Sequence, residues 1–291
     1  MLAGLKKYKK YISKAKGQSA PSSLSDDKPI IGPELNFAAS EAYKMLRTNL
    51  MLSLAGNREC QIIGITSAIK SEGKSTTALN TAYTIAENKK RVLLIEADMR
   101  LPTLSKRVDC ERTPGLSNVL VDQYDIRQVI QKTDLHDNLY LLTAGDIPPN
   151  PSELLDSDKM RFILDECRQA FDTIIIDLTP VTIVADATIV GKLCDGVVVV
   201  VAEGYCSKKI LKEAINQLNM ANVKILGFVM TKSGASNKKY YYKKYYKGYY
   251  RNYYKKRGYY EYGYGSGYGR SAYASSRAKA STQNASRNED K

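Results

Sequence analysis

The sequence predicts an α/β chain with a mostly parallel sheet and helices on both faces. Three observations predict it. Between residues 33 and 234, short runs rich in β-branched residues alternate with longer helical stretches. The runs are aliphatic almost throughout, as strands covered on both faces are. Several end in a carboxylate or in a loop rich in Gly and Ser, the arrangement found where ligands gather at the carboxyl ends of parallel strands.

The elements follow in order. Residues 1–33 are lysine-rich and then rich in Ser, Pro and Asp, too poor in apolar residues to order a fold of their own, and read as a flexible basic leader. Within it Leu2, Leu5 and Ile12 beside Lys6, Lys7, Lys9 and Lys10 form either a weak amphipathic helix for anionic lipid or a solvated charged tail. Strands are expected at 61–66, 92–96, 139–143, 173–177, 196–202 and 224–231, and helices at 40–54, 74–88, 152–170, 185–192 and 208–221. Residues 236–291 contain no Leu, Ile, Val, Phe or Met, so they have no aliphatic core and read as a disordered tail. The expected organisation is therefore leader 1–33, folded domain 34–235 and tail 236–291.

Charge is unevenly placed. The tail holds fourteen Lys/Arg against Glu261, Glu289 and Asp290, a net of +11, and residues 1–17 hold six lysines and no acid. Of the formal +14, these two ends carry more than the whole, which leaves the middle at −3. The five cysteines form no CxxC pair and no disulfide framework, which fits a reducing cytosol. The longest aliphatic stretch, residues 197–202, is far short of the roughly 20 residues a membrane helix needs, so membrane contact is expected to be peripheral or made through a partner.

Chemistry concentrates in Thr66-Ser67-Ala68-Ile69-Lys70-Ser71-Glu72-Gly73-Lys74-Ser75-Thr76, which follows an apolar strand and opens a helix. That context marks a phosphate-binding P-loop, and with it a P-loop NTPase-like fold. Ser71, Glu72, Gly73, Lys74, Ser75 and Thr76 are its nucleotide-binding candidates. Gly73 lets backbone amides approach phosphate oxygens, Lys74 reaches the phosphates, and Ser75 offers a hydroxyl to Mg²⁺. Ala68 stands where the strict pattern has its first glycine. Asp177 closes the run Thr173-Ile174-Ile175-Ile176, where a second ligand for magnesium belongs. Glu96 and Asp98 follow Val92-Leu93-Leu94-Ile95; spaced by two on a departing strand, they are expected to converge on a metal or an attacking hydroxyl. Metal candidates are Ser75, Asp98 and Asp177; catalytic candidates are Lys74, Glu96, Asp98 and Asp177.

The tail supplies acceptors: Tyr240, Tyr241, Tyr242, Tyr245, Tyr246, Tyr249, Tyr250, Tyr253, Tyr254, Tyr259, Tyr260, Tyr262, Tyr264, Tyr268 and Tyr273, fifteen of the twenty-two tyrosines. A nucleotide site joined to so many phosphorylatable hydroxyls suggests an enzyme that modifies itself. A basic tail with interleaved aromatics also suits single-stranded nucleic acid, but the core motifs weigh against that reading.

Taken together, these motifs resemble the bacterial tyrosine kinases of capsule and exopolysaccharide synthesis. Glu72-Gly73-Lys74-Ser75-Thr76 is similar to the family's Walker A end, Glu96-Ala97-Asp98-Met99-Arg100-Leu101-Pro102 to its Walker A′ motif, and Ile175-Ile176-Asp177 to its Walker B strand. Gly115-Leu116-Ser117, the stretch from Pro148 to Leu155 with Pro149, Asn150, Pro151, Ser152, Glu153 and Leu154, and Asp186-Ala187 also look like family signatures. The resemblance covers about residues 33–235 and continues into the tail. It implies ATP and Mg²⁺ as cofactors, a membrane adaptor of the polysaccharide co-polymerase type as activator, a cognate tyrosine phosphatase, and a location at the inner face of the cell membrane. It also implies a ring of subunits joined through Glu41, Lys44 and Arg47, which at three-residue spacing share one helix face. The chain departs from the family at Glu96, usually aspartate, at Lys70, usually proline, and at Leu178-Thr179-Pro180. A weakly active regulatory ATPase of the same fold is therefore the competing expectation. An extra lysine, as in the ATPases that partition plasmids, would fall at Ile69.

Overall fold

The computed structural model describes residues 31–54 and 59–232, all in the first of the two units, residues 1–235 and 236–291, into which the chain divides. The tail tyrosines and almost all of the expected leader lie outside the described residues. At the start of the described residues Ile31 packs on the core and the Gly32 amide donates to Asn80 Oδ1 at 2.9 Å, within a short 3-10 turn at Gly32–Glu34.

Seven strands form one sheet in the order β3-β4-β2-β5-β1-β6-β7. They are β1 (Gln61–Ser67), β2 (Val92–Glu96), β3 (Gln131–Lys132), β4 (Leu139–Leu142), β5 (Thr173–Asp177), β6 (Gly196–Ala202) and β7 (Ile225–Thr231). All neighbours run parallel except β3 and β4. The central strands are buried from end to end because helices cover both faces; on one face lie Ile62, Leu93, Ile95, Ile174 and Ile176, on the other Ile63, Ile65, Leu94, Ile175 and Val198. Each such aliphatic side chain contributes on the order of 2 kcal/mol when fully buried, which is why continuous Ile/Val/Leu runs outcompete any local helical preference.

The nine α-helices among the described residues are α1 (Phe37–Ser53), α2 (Lys74–Ala86), α3 (Leu104–Arg107), α4 (Leu116–Leu120), α5 (Ile126–Val129), α6 (Pro151–Leu155), α7 (Asp158–Ala170), α8 (Asp186–Gly191) and α9 (Lys208–Met220). One correction concerns the single helix expected over 152–170. It is two helices, because the Ser157 side chain accepts the amide of Met160 and starts a fresh helix after Asp156. The short elements α3, α4, α5 and β3 were not expected.

The Gly115-Leu116-Ser117 motif has a packing cause. The amides of Leu116 and Ser117 donate to Thr143 and Ala144 carbonyls at 2.8 and 3.0 Å, and a β-carbon on Gly115 would stand 2.4 Å from the Gly145 nitrogen. Only a glycine lets the start of α4 lie against the loop after β4.

Candidate active site

The functional residues meet at the carboxyl end of the sheet. β1 runs into the P-loop and α2 leaves it; β2 and β5 are neighbours, with Glu96 opposite Asp177 in register. Gly73 caps α2 with φ 93°, the left-handed region glycine favours, and Ser71 also adopts positive φ, 64°. Ala68 has no such conformation. It is fully buried and its carbonyl accepts from Thr182 Oγ1 at 2.7 Å, so the missing first glycine imposes no backbone strain.

Glu72, a nucleotide candidate, uses its side chain within the protein. Its side chain is wholly buried, with Oε2 accepting the Ile69 amide at 2.9 Å and Oε1 the Ala202 amide at 3.2 Å. These bonds tie the P-loop to itself and to β6, and they leave the carboxylate no part in holding phosphate. The end of β7 adds two more ties: Thr231 Oγ1 donates to the Glu72 carbonyl at 2.6 Å and Lys232 Nζ to the Ser71 carbonyl at 2.9 Å.

Lys74 lies between two acids. Its Nζ is 2.9 Å from Asp98 Oδ2, 3.3 Å from Asp177 Oδ1 and 3.2 Å from Ser75 Oγ. Burial works against the ammonium, but Asp177 and Asp98 outweigh it and hold the lysine above its usual range. Asp98 is fixed by the Leu101 amide, which donates to Oδ1 at 3.1 Å. Asp177 is almost completely buried, and its Oδ2 has no hydrogen-bond partner among the described residues. Burial pushes its carboxyl up, with Lys74 and Ser75 pulling the other way.

Glu96 and Asp98 do not converge. Glu96 Oε1 accepts the amides of Thr103 and Leu104, the latter at 2.6 Å, and Oε2 accepts the amide of Ala144 at 3.4 Å. The extra methylene carries the carboxylate past the site and into a nest of backbone donors at the start of α3. It is fully buried, and burial raises its pKa against the pull of those amides. Its position fits a structural anchor for the loop that bears Asp98.

The remaining signatures close into one cluster. Arg100 donates through Nε to Asp186 Oδ2 at 2.9 Å and through Nη2 to Ser152 Oγ at 2.9 Å, while Ser152 Oγ donates to Asp186 Oδ1 at 2.5 Å. Motif fragments some fifty and eighty residues apart thus brace the Asp98 loop from α6 and α8. Sequence reasoning missed Arg107, whose Nη1 donates to Thr76 Oγ1 at 2.5 Å. No local pattern distinguishes it from its neighbour Lys106.

Glu41, Lys44 and Arg47 lie on α1 as expected, and all three are engaged within the chain. Lys44 pairs with Glu41 at 2.9 Å, both side chains about two-fifths exposed, and Arg47 Nη1 donates to the Thr84 carbonyl at 2.6 Å, pinning α1 to α2.

Among the described residues no three His, Cys, Asp or Glu side chains form a metal cage. Two carboxylates and a hydroxyl nevertheless suit magnesium, which prefers few protein ligands alongside water and phosphate oxygens. The unpartnered, buried Asp177 Oδ2 is the donor such an ion needs.

A family model described as an AAA domain matches residues 60–226. The tyrosine-protein kinase YwqD of Bacillus subtilis (strain 168) is 40% identical over 191 residues, covering 66% of this chain and 80% of that protein. The chain belongs to the bacterial tyrosine kinases. Its structure is similar to the kinase domain of the Escherichia coli tyrosine kinase ETK, with a TM-score of 0.67 and 28% identity over 76% of this chain and 88% of that one. It also resembles the chimerical protein CapA2B2, at a TM-score of 0.62 and 33% identity over 65% of this chain and 83% of that one. The kinase is thus a protein-tyrosine kinase of P-loop fold, using ATP and Mg²⁺. No helix among its described residues is long and apolar enough to cross a membrane.

Proposed function

We propose that this kinase phosphorylates its own C-terminal tyrosines, in trans within a ring of subunits, and so regulates capsule or exopolysaccharide synthesis. The reading takes residues 34–235 as the catalytic domain and 236–291 as the acceptor tail. The observation that carries it is the placement of Lys74 between Asp98 and Asp177, in a chain carrying fifteen tyrosines between 240 and 273.

In this mechanism Lys74 turns from the acids to the phosphates and neutralises charge there. Ser75 and Asp177, with Asp98, would hold magnesium, which when bound would supply positive charge against the phosphate oxygens. Asp98, on the loop braced by Arg100, accepts the proton of the incoming tyrosine hydroxyl as its oxygen bonds to the γ-phosphorus and the bond to the ADP oxygen breaks. Little else is required of the protein, because phosphoryl transfer depends on alignment and charge. The tail's +11 attracts it to this acidic site, and each phosphate adds about −1.5 to −2, so about six phosphates cancel the attraction.

Glu41, Lys44 and Arg47 are proposed to serve the ring in addition to their contacts within α1 and with Thr84. The similarity to CapA2B2, a chimerical protein, supports a second, adaptor-like polypeptide as activator of this kinase as well, holding it at the membrane. A tyrosine phosphatase completes the cycle.

Incubation of the full chain with Mg·ATP labelled at the γ-phosphate tests the proposal. Label is expected on Tyr240–Tyr273 by mass mapping, and Lys74→Met is expected to abolish it. Release of the label as free phosphate with none on the tail would instead favour the regulatory ATPase.

A further inference from the structure

We propose that Arg107 is a phosphate-binding residue of this nucleotide site, a second cation that meets the bound triphosphate beside the Lys74 ammonium. The proposal rests on the nucleotide site described above and adds a residue that none of the motifs contains.

Arg107 ends α3, the short helix that follows the Asp98 loop, and points back to the P-loop, where its Nη1 donates to Thr76 Oγ1 at 2.5 Å. Thr76 is the third residue of α2, so the guanidinium stands over the first turn of that helix, whose amide groups lack intrahelical acceptors. It is half-buried, and no carboxylate lies within 4 Å of it among the described residues. Arg100, on the Asp98 loop before α3, shows the contrast, being paired with Asp186 at 2.9 Å.

A guanidinium carries five donors in a fixed fork matched to carboxylate or phosphate. Among the described residues only the Thr76 hydroxyl accepts a hydrogen bond from Arg107, a weak acceptor for a half-buried charge. Burial lowers its pKa, with Asp177 and Glu96 acting in the opposite sense, and a guanidinium keeps its proton in a protein. Removing a cation from water without an ion pair is unfavourable unless an anion completes the site. At the mouth of a P-loop that anion is the polyphosphate. A purely structural arginine would instead use its donors on carboxylates or carbonyls, as Arg168 does with Asp195 and the Cys60 carbonyl.

The test uses the full chain with Arg107→Met, Arg107→Lys and, as a reference, Lys74→Met. Binding of a fluorescent ADP analogue is titrated at about 50 and about 300 mM salt, KM and kcat are measured with ATP, and thermal melting is followed without nucleotide. Arg107→Met is expected to weaken nucleotide binding about tenfold or more, a loss that corresponds to at least one charge-assisted contact. The salt dependence becomes shallower, KM for ATP rises more than kcat falls, and the nucleotide-free melting temperature is unchanged or higher. Arg107→Lys recovers part of the affinity. Affinity within twofold of the parent chain, or a nucleotide-free melting temperature several degrees lower, overturns the inference. If Arg107→Met binds normally while Lys74→Met does not, only the assignment of Arg107 falls; if both bind normally, the nucleotide site itself falls with it.

Discussion

The two ends of the sheet carry similar charges and use them differently. At the amino end, Asp195 Oδ2 accepts the Ile62 amide at 2.7 Å and faces Arg168 at 3.4 Å, while Arg168 also donates to the Cys60 carbonyl at 2.8 Å. Asp172 accepts the Arg91 amide at 2.8 Å, and the Arg91 guanidinium lies 5.5 Å from the Phe171 ring centre. Cys60 and Cys167, buried alongside, have their thiols pushed up to about 11 and about 12, which leaves them unreactive. At the carboxyl end the accounts stay open: among the described residues Asp177 Oδ2 has no partner, and Arg107 has no acid within ion-pair distance. A closed polar network makes structure; an open one, kept in place by the fold, makes a site.

The largest expected break of this contrast is Asp177→Asn. Loss of one preorganised charge at a reacting phosphate costs on the order of 10²–10³ in kcat, whereas stability without ligand should change little, because Lys74 keeps its pair with Asp98 at 2.9 Å. Tail labelling against time, beside a melting curve, checks both halves. Asp195→Ala should behave in reverse. It strands the Ile62 amide and removes the ion pair of Arg168, lowering stability by about 1–3 kcal/mol in urea unfolding, with kcat unaltered.

A smaller effect sharpens the carboxyl end. Burial raises Glu96 above its ordinary 4.5, so the folded chain retains a proton that the unfolded chain has released. Stability from this group is therefore intact below pH 4.5 and declines as the pH climbs to the raised value. Glu96→Gln should abolish that slope: measured by urea midpoints, the variant gains on the parent as the pH rises above 4.5. A difference constant across that range would show that Glu96 titrates as an exposed carboxylate does.

Much of this was legible in the chain. The spans 92–96, 173–177 and 196–202 were expected and observed with the same bounds, because aliphatic strands between two helical layers are specified by burial alone. Helices of four or five residues, such as α3 and α5, carry too few turns to show a period. Glu96 was misplaced because its partners, the amides of Thr103, Leu104 and Ala144, come from loops that only the fold brings to β2. Arg107 was illegible for the same reason, since what distinguishes it is Thr76, thirty-one residues earlier. Asp98, Lys74 and Asp177 were readable because each stands at or after the carboxyl end of a central strand, and the loops from those ends meet around the Lys74 ammonium.

The lysine held between two carboxylates also makes the P-loop behave like an ion exchanger. Its resident cation must be traded before anything enters, and a bare anion that drew Lys74 away would be left facing Asp98 and Asp177 without compensation. A nucleotide arriving with its own divalent counterion would make the exchange even-handed, so charge balance alone would favour it over a bare anion.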